Sequence, residues 1–410
     1  MRERTAAALL CALTAVLALP YALAGTNFIL DDWFAVRNAM FQGAFAAGGH
    51  NQLLARPGAW LTYGLTFGLI GPHPLPIYLL QTAVNAAVAV ALFVALRRFV
   101  PTTPAFAAAA VWVVLPIHTS LDNWASALNI SLALLALLVG IAVLGRTRGN
   151  WAAAVCFAVA ALWYEATMPL AAVMTLAEPL LHRRSPRGRD DVALPAVSLA
   201  VCGLWIVTHW HPDKHISGWA HLGQFMPAHF GWGVVWWPPF DKVVLLLAMV
   251  VAGLTVMVLG VLPFLRYFYA PLGAGDRVNV VSSVGAAMAW TGLGWMALKF
   301  WRVGACVLGV ALASGAVATN VHRDELYARA GHDVQHTLTA LDRAIPHPDG
   351  PIALGPTALL RENIGGLLDE SNVDGALQVH RKRQDVRGYV AQNRAEWLRA
   401  PANRRFDQRR

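Results

Sequence analysis

Charge is what this chain has least of. Charged residues make up 13% of its 410 positions, against roughly 25% in a soluble domain. Lysine is nearly absent: Lys214, Lys242, Lys299 and Lys382 stand among 32 basic residues. The four cysteines, Cys11, Cys156, Cys202 and Cys306, sit singly inside apolar runs. Neither a disulfide framework nor a zinc site follows from that spacing. The Gly273-Ala274-Gly275-Asp276 stretch lacks the strand–helix context and the Lys-Ser/Thr of a phosphate-cradling loop. There is no internal repeat and no heptad run.

What remains is apolar: 57% of residues are hydrophobic and mean hydropathy is +0.49. Such a composition describes a polytopic membrane protein. The formal net charge of +9 invites nucleic acid as a partner. The arginines, however, gather at the ends of apolar runs, and the positive-inside rule accounts for them better.

The run up to Ala24 resembles a signal peptide, with Ala22-Leu23-Ala24 as a cleavage site. It is also about long enough to span, and with many spans following it reads as an uncleaved first helix with a cytoplasmic N-terminus. Residues 25–72 form a long outer loop of short interfacial helices, carrying Asp31, Asp32, Arg37, His50 and Arg56. Spans are expected at about 75–97, 104–117, 127–144, from Trp151, down to His182, and at 192–208, 243–262, 278–298 and 303–319. Arg97-Arg98, Arg146/Arg148 and Arg183-Arg184 place successive ends on one side. If 218–237 also crosses, there are eleven spans and the tail lies outside; if not, Arg266 and the tail are cytoplasmic. Charge bias at Lys299 and Arg302 favours the first arrangement.

Residues 320–410 change character. Asp324 to Ile345 reads as an amphipathic helix with Leu326, Val334, Leu338, Leu341 and Ile345 on one face. Pro351–Pro356 and Ala376–His380 are strand candidates, and the basic end with Arg404, Arg405, Arg409 and Arg410 is expected to fray. The expected domains are therefore 1–319 in the membrane and a small soluble α/β appendage at 320–410.

Four places then resemble the GT-C superfamily of membrane glycosyltransferases, in particular bacterial relatives of the tetratricopeptide-containing O-mannosyltransferases. Asp31-Asp32 follows the first helix. Pro116-Ile117-His118 with Trp124 is similar to that group's "HPVH…W" stretch. Tyr164-Glu165 is similar to its "KE" pair, with tyrosine in place of lysine. Arg266-Tyr267-Phe268-Tyr269-Ala270-Pro271 is similar to its "RYLYLP" segment. The region 210–262 is short by comparison, and no tetratricopeptide repeats follow.

The resemblance implies an all-α polytopic bundle of GT-C type; the span count gives it about 10–11 transmembrane helices, and the favoured topology makes the C-terminal appendage extracytoplasmic. It implies inverting transfer of a sugar from a polyprenyl-phosphate donor to a glycan, lipid or protein acceptor at the outer face of the plasma membrane. Asp31 or Asp32 would be the catalytic carboxylate.

The residue chemistry suits that reaction. A base must take the acceptor's proton, and cations must meet the phosphate leaving group. Adjacent carboxylates repel, which raises one pKa. Arg56 and Arg266 are candidates for the phosphate, with His118 and Tyr267 as further substrate contacts. Glu165 could bind sugar hydroxyls, orient an arginine, or hold a metal with the aspartates. Arginines alone can neutralise a monophosphate, so no cofactor is required, although a divalent cation would fit. Two other functions use the same residues: a transporter or flippase of a lipid-linked saccharide, and a non-catalytic envelope assembly protein. The first predicts inverted repeats and broken helices, which the sequence does not display. The second predicts that Asp31 and Asp32 are dispensable.

Overall fold

The computed structural model describes residues 2–24, 27–145, 149–181, 189–209, 243–264, 278–355, 360–361, 364–365, 370–391 and 394–406. Its helices follow the apolar runs. They are α1 (Glu3–Leu23), α5 (Pro74–Leu96), α6 (Thr102–Val114), α8 (Leu128–Val143), α9 (Gly149–Trp163), α10 (Met168–Leu181), α11 (Arg189–His209), α12 (Val243–Val261), α13 (Val280–Phe300) and α14 (Arg302–Ala344). Between α1 and α5 lie the short helices α2 (Asp31–Gln42), α3 (Gly49–Ala55) and α4 (Pro57–Tyr63). A four-residue turn of helix, α7 (Ser120–Asn123), interrupts the passage from α6 to α8.

Among the described residues, five helices are long and apolar enough to cross a bilayer: α1, α5, α13, α14 and the continuous stretch Ala125–Val143. Shorter apolar helices accompany them at 102–114, 150–163, 193–205 and 245–261. Val303, Val307 and Val310 on α14 are exposed, as residues facing lipid rather than water would be. The segment 218–237, on which the span count turns, lies outside the described residues.

Ion pairs mark one end of the bundle. Arg97 reaches Glu3 at 3.1 Å, and Arg98 reaches Glu178 at 3.0 Å while also donating to the Ile141 carbonyl. This is the end that the arginine pattern assigns to the cytoplasm. The opposite end carries the loop helices and the C-terminal unit.

The C-terminal unit departs from the sequence expectation in three ways. Its boundary at 319/320 is no break: α14 runs 43 residues without interruption, about 65 Å, and carries the chain from the apolar layer into the soluble unit. The change of composition falls inside this helix and ends no element. The apolar face expected of 324–345 is nonetheless present, with Leu326, Val334, Leu338, Leu341 and Ile345 all buried.

Ala376–His380 is not a strand. It lies in α15 (Glu370–Arg381), where Val373, Ala376 and Leu377 keep helical spacing and are buried. The basic end is not wholly frayed either. Arg404 pairs with Asp349 at 2.7 Å and Arg405 opens a strand, while Arg409 and Arg410 lie outside the described residues. The sheet is parallel, with β1 (Ile352–Leu354) between β4 (Gly388–Val390) and β5 (Arg405–Phe406). A two-stranded antiparallel ribbon pairs β2 (Leu360–Arg361) with β3 (Ile364–Gly365). Helix α16 (Arg394–Arg399) connects β4 to β5.

Candidate functional site

The tandem aspartates stand at the first turn of α2 and do different things. Asp31 is exposed, at the positive end of the helix dipole. Asp32 is 0% exposed. Its Oδ1 accepts hydrogen bonds from the Ser126 amide at 2.8 Å and from the Ser126 hydroxyl, and its Oδ2 accepts from the Ile29 amide at 3.3 Å. Burial pushes the Asp32 carboxyl up to about 7, against the opposing pull of these hydrogen bonds, with repulsion from Asp31 the smallest contribution. The raised pKa expected from the adjacent charges is therefore present, but desolvation causes it.

The backbone entering this helix is strained. Leu30 has φ 50° and ψ −128°, a region that costs a non-glycine residue roughly 1–3 kcal/mol. Reciprocal bonds close the turn: the Asp32 amide donates to the Ile29 carbonyl at 3.1 Å, while the Asp32 side chain accepts from the Ile29 amide. Leu30 itself is buried. The turn thus sends Asp32 inward and leaves Asp31 outward.

Ser126 belongs to a buried stretch, 115–127, with many backbone groups outside regular helix. Unpaired carbonyls there would be costly. Side chains from the membrane helices supply the donors. Tyr21 and Tyr78 both donate to the Asn123 carbonyl, at 3.0 and 3.3 Å. Gln81 donates to the carbonyls of Leu121 and Trp124, and Asn85 to Leu121 at 2.7 Å and to the Asp122 carboxylate. Asn279 and Asn320 hold the carbonyls of Ile117 and Val114, and Asn123 in turn donates to Asp324 at 2.8 Å. None of these polar residues was singled out from sequence. Their signal was available: an amide side chain inside an apolar run needs a partner.

His118 lies in this stretch, 3% exposed. Its ring stacks on Trp112, with centroids 4.7 Å apart and planes 11° apart. It helps to pack the loop and offers no surface to a substrate.

Arg56 and Glu165 meet. Arg56 Nε donates to Glu165 Oε2 at 2.8 Å and Nη2 donates to Oε1, a two-pronged pair in which the side chains are 27% and 12% exposed. The guanidinium also lies over the Tyr164 ring, 5.4 Å from its centroid. Contact with an arginine, one of the three roles open to Glu165 from sequence, is the one this pairing matches. Pro57 starts α4 at the helix position proline favours, and Arg56 precedes it. Trp163, at the end of α9, donates to Thr62 of α4 at 2.8 Å and packs on Gly58, where any Cβ would strike the indole.

A chain of contacts joins this pair to the aspartates. Asp32 holds Ser126, whose carbonyl accepts from Tyr63 at 3.3 Å, and the neighbouring Thr62 holds Trp163. Asp31, Asp32, Arg56, Glu165 and His118 thus share one end of the bundle. Arg266 and Tyr267 lie outside the described residues. Among the described residues, no three His, Cys, Asp or Glu side chains group as metal ligands.

No family model matches the chain, and no curated protein does. Two solved structures are similar along most of its length. One is the crystal structure of ArnT from Cupriavidus metallidurans in the apo state, 14% identical with a TM-score of 0.43, the match covering 92% of this chain and 84% of that one. The other is ArnT from the same organism bound to undecaprenyl phosphate, 13% identical with a TM-score of 0.42, covering 98% and 89%. Both are likenesses of chain course at low identity.

Proposed function

We propose that this chain is an integral membrane glycosyltransferase of GT-C type, moving a sugar from a polyprenyl-phosphate carrier to a hydroxyl acceptor at the extracytoplasmic face. The observation that carries the reading is the division of labour at α2. One carboxylate is exposed at the helix start, its neighbour is buried as an anchor, and an oriented arginine–glutamate pair from two other segments stands at the same end of the bundle.

In this reading Asp31 takes the acceptor's proton as the acceptor oxygen attacks the anomeric carbon. The bond from that carbon to the phosphate oxygen breaks, and the polyprenyl phosphate departs with the electron pair. Attack opposite the leaving group inverts the anomeric centre. Arg56 faces the developing phosphate charge, held in aim by Glu165 and stacked on Tyr164. A guanidinium fixed this way stabilises charge without having to reorganise during the reaction. Arg266 is proposed as a second phosphate contact, with Tyr267 beside it. The charge balance needs no metal, and activity is expected to survive chelation by EDTA.

The apolar helices around this end give the lipid tail a hydrocarbon environment. The basic residues support this sidedness: by the positive-inside rule Arg97 and Arg98 belong at the cytoplasmic end, opposite the aspartates. The direct test is transfer of labelled sugar from a synthetic polyprenyl-phosphate sugar by the purified full-length protein, comparing wild type with Asp31→Asn. An impermeant maleimide applied to intact cells carrying Arg329→Cys tests the sidedness; labelling only after permeabilisation contradicts it.

A further inference from the structure

The C-terminal unit meets α2 at a point where no side chain fits between the two backbones. A Cβ built on Gly375 of α15 would lie 2.7 Å from the carbonyl oxygen of Trp33, 2.8 Å from its carbonyl carbon and 3.1 Å from the amide nitrogen of Phe34. The two helices therefore cross backbone on backbone, two to three residues along from Asp31.

The surroundings of the crossing fix α15 from its other side. Asp374 is 4% exposed and accepts from the Gly388 amide at 2.8 Å and from Arg387 at 2.7 Å, which ties α15 to β4. Val373, Ala376 and Leu377 are fully covered. Arg37 on α2 lies within the field of Asp374 and Arg387, and burial draws its guanidinium below the usual value. At the far end of α2, Gln384 donates to the Phe41 carbonyl at 3.4 Å. Before its start, a Cβ on Gly331 of α14 would lie 3.1 Å from the Asn27 side chain.

Helix α2 needs such support. It has twelve residues, a length at which an isolated helix is marginal in water, and it begins at a strained turn. On its inner side Asp32 holds Ser126 and Trp33 packs on Phe28; the C-terminal unit covers it at Gly375.

We infer that Gly375 is a positioning residue: the C-terminal unit is the outer wall that fixes α2, and with it Asp31, through the backbone crossing at Gly375. Its consequence for sugar transfer rests on the reading of Asp31 as the base; the mechanical coupling does not.

The experiment uses the full-length protein in detergent or nanodiscs. Gly375→Val and the milder Gly375→Ala are compared with Gly315→Ala, a control glycine whose added methyl meets nothing within 4 Å. Hydrogen exchange is followed in peptides covering 31–42 and 78–96, beside kcat and donor KM. Gly375→Val is expected to speed exchange in 31–42 about tenfold or more, leave 78–96 unchanged, and lower kcat by a similar factor with donor KM near wild type. Gly315→Ala is expected to match wild type in all readouts. If Gly375→Val does not accumulate, Gly375→Ala is expected to show the same pattern at smaller amplitude. Unchanged exchange in 31–42 overturns the inference whatever the activity. Faster exchange with undiminished kcat overturns its consequence for transfer. Faster exchange with no transfer even in the wild type leaves the coupling supported and removes the enzymatic reading.

Discussion

Arg56 and Glu165 stand 109 positions apart in the chain and face each other through two guanidinium–carboxylate hydrogen bonds. A lysine cannot reproduce that geometry, because its ammonium is a point charge without a planar fork. Arg56→Lys is therefore expected to behave like Arg56→Ala. Both should lose on the order of 10²-fold in turnover, the loss typical of removing one fixed charge-stabilising group. Glu165→Gln, which keeps a hydrogen-bond acceptor but frees the guanidinium, should lose less. Initial rates with a synthetic polyprenyl-phosphate sugar decide the order. A fully active Arg56→Lys would refute the forked role.

The pair depends on α4 lying close against α9, and Gly58 beneath Trp163 permits that approach. Gly58→Ala should force the helices apart and separate Arg56 from Glu165. Overpacking of this kind costs about 1–3 kcal/mol. Thermal unfolding in detergent should show a lowered midpoint, and transfer should fall along with it. A Gly58→Ala protein of unaltered stability and rate would mean that the close contact is dispensable.

Much of this was legible in the sequence, and the reasons for the remainder are physical. The long apolar runs give α1, α5, α8 and α13, because length and hydropathy are what a bilayer selects. Asp31, Arg56 and Glu165 were visible as charges at the ends of such runs. That Asp32 is an anchor was not visible, since two adjacent aspartates are identical in sequence and only a turn with positive φ at Leu30 tells them apart. Ser126, its partner, carried no signal at all. The strand expected at Ala376–His380 rests on a five-residue window too short to show a period; over the whole of α15, Val373, Ala376 and Leu377 keep helical spacing. Helix α14 was divided in two because hydropathy reports the solvent and not the hydrogen-bond ladder.

Asp32 gives a pH dependence with a definite sign. Its folded-state value of about 7 lies above its ordinary 3.8, so the folded protein holds a proton that the unfolded chain releases. The associated stability is fully present below about pH 4 and is lost as pH rises toward 7. The shift corresponds to roughly 4 kcal/mol. Unfolding midpoints of wild type should fall across that window, and Asp32→Asn, which cannot ionise, should fall less steeply. Parallel slopes would contradict the burial of an ionisable Asp32.

Gln81 and Asn85 serve the 115–127 stretch by satisfying its carbonyls. Gln81→Leu or Asn85→Leu would each leave the Leu121 carbonyl with one of these two side-chain donors, and the double variant with neither, at a cost of about 1–3 kcal/mol that falls mainly on the double variant. Because both act on Leu121, the two effects should not be additive. Unfolding of the single and double variants in detergent measures the coupling; simple additivity would mean that the two residues act separately.

On the proposed reading Asp31, and not Asp32, takes the acceptor's proton. The measurement that tests it most directly is single-turnover transfer from a labelled polyprenyl-phosphate sugar by full-length protein in proteoliposomes, for Asp31→Asn beside wild type. Asp31→Asn should fold and bind donor as wild type does while its transfer rate drops by about 10²- to 10⁴-fold, the range attributed to general base catalysis. A folded Asp31→Asn protein that transfers sugar at the wild-type rate would contradict the account.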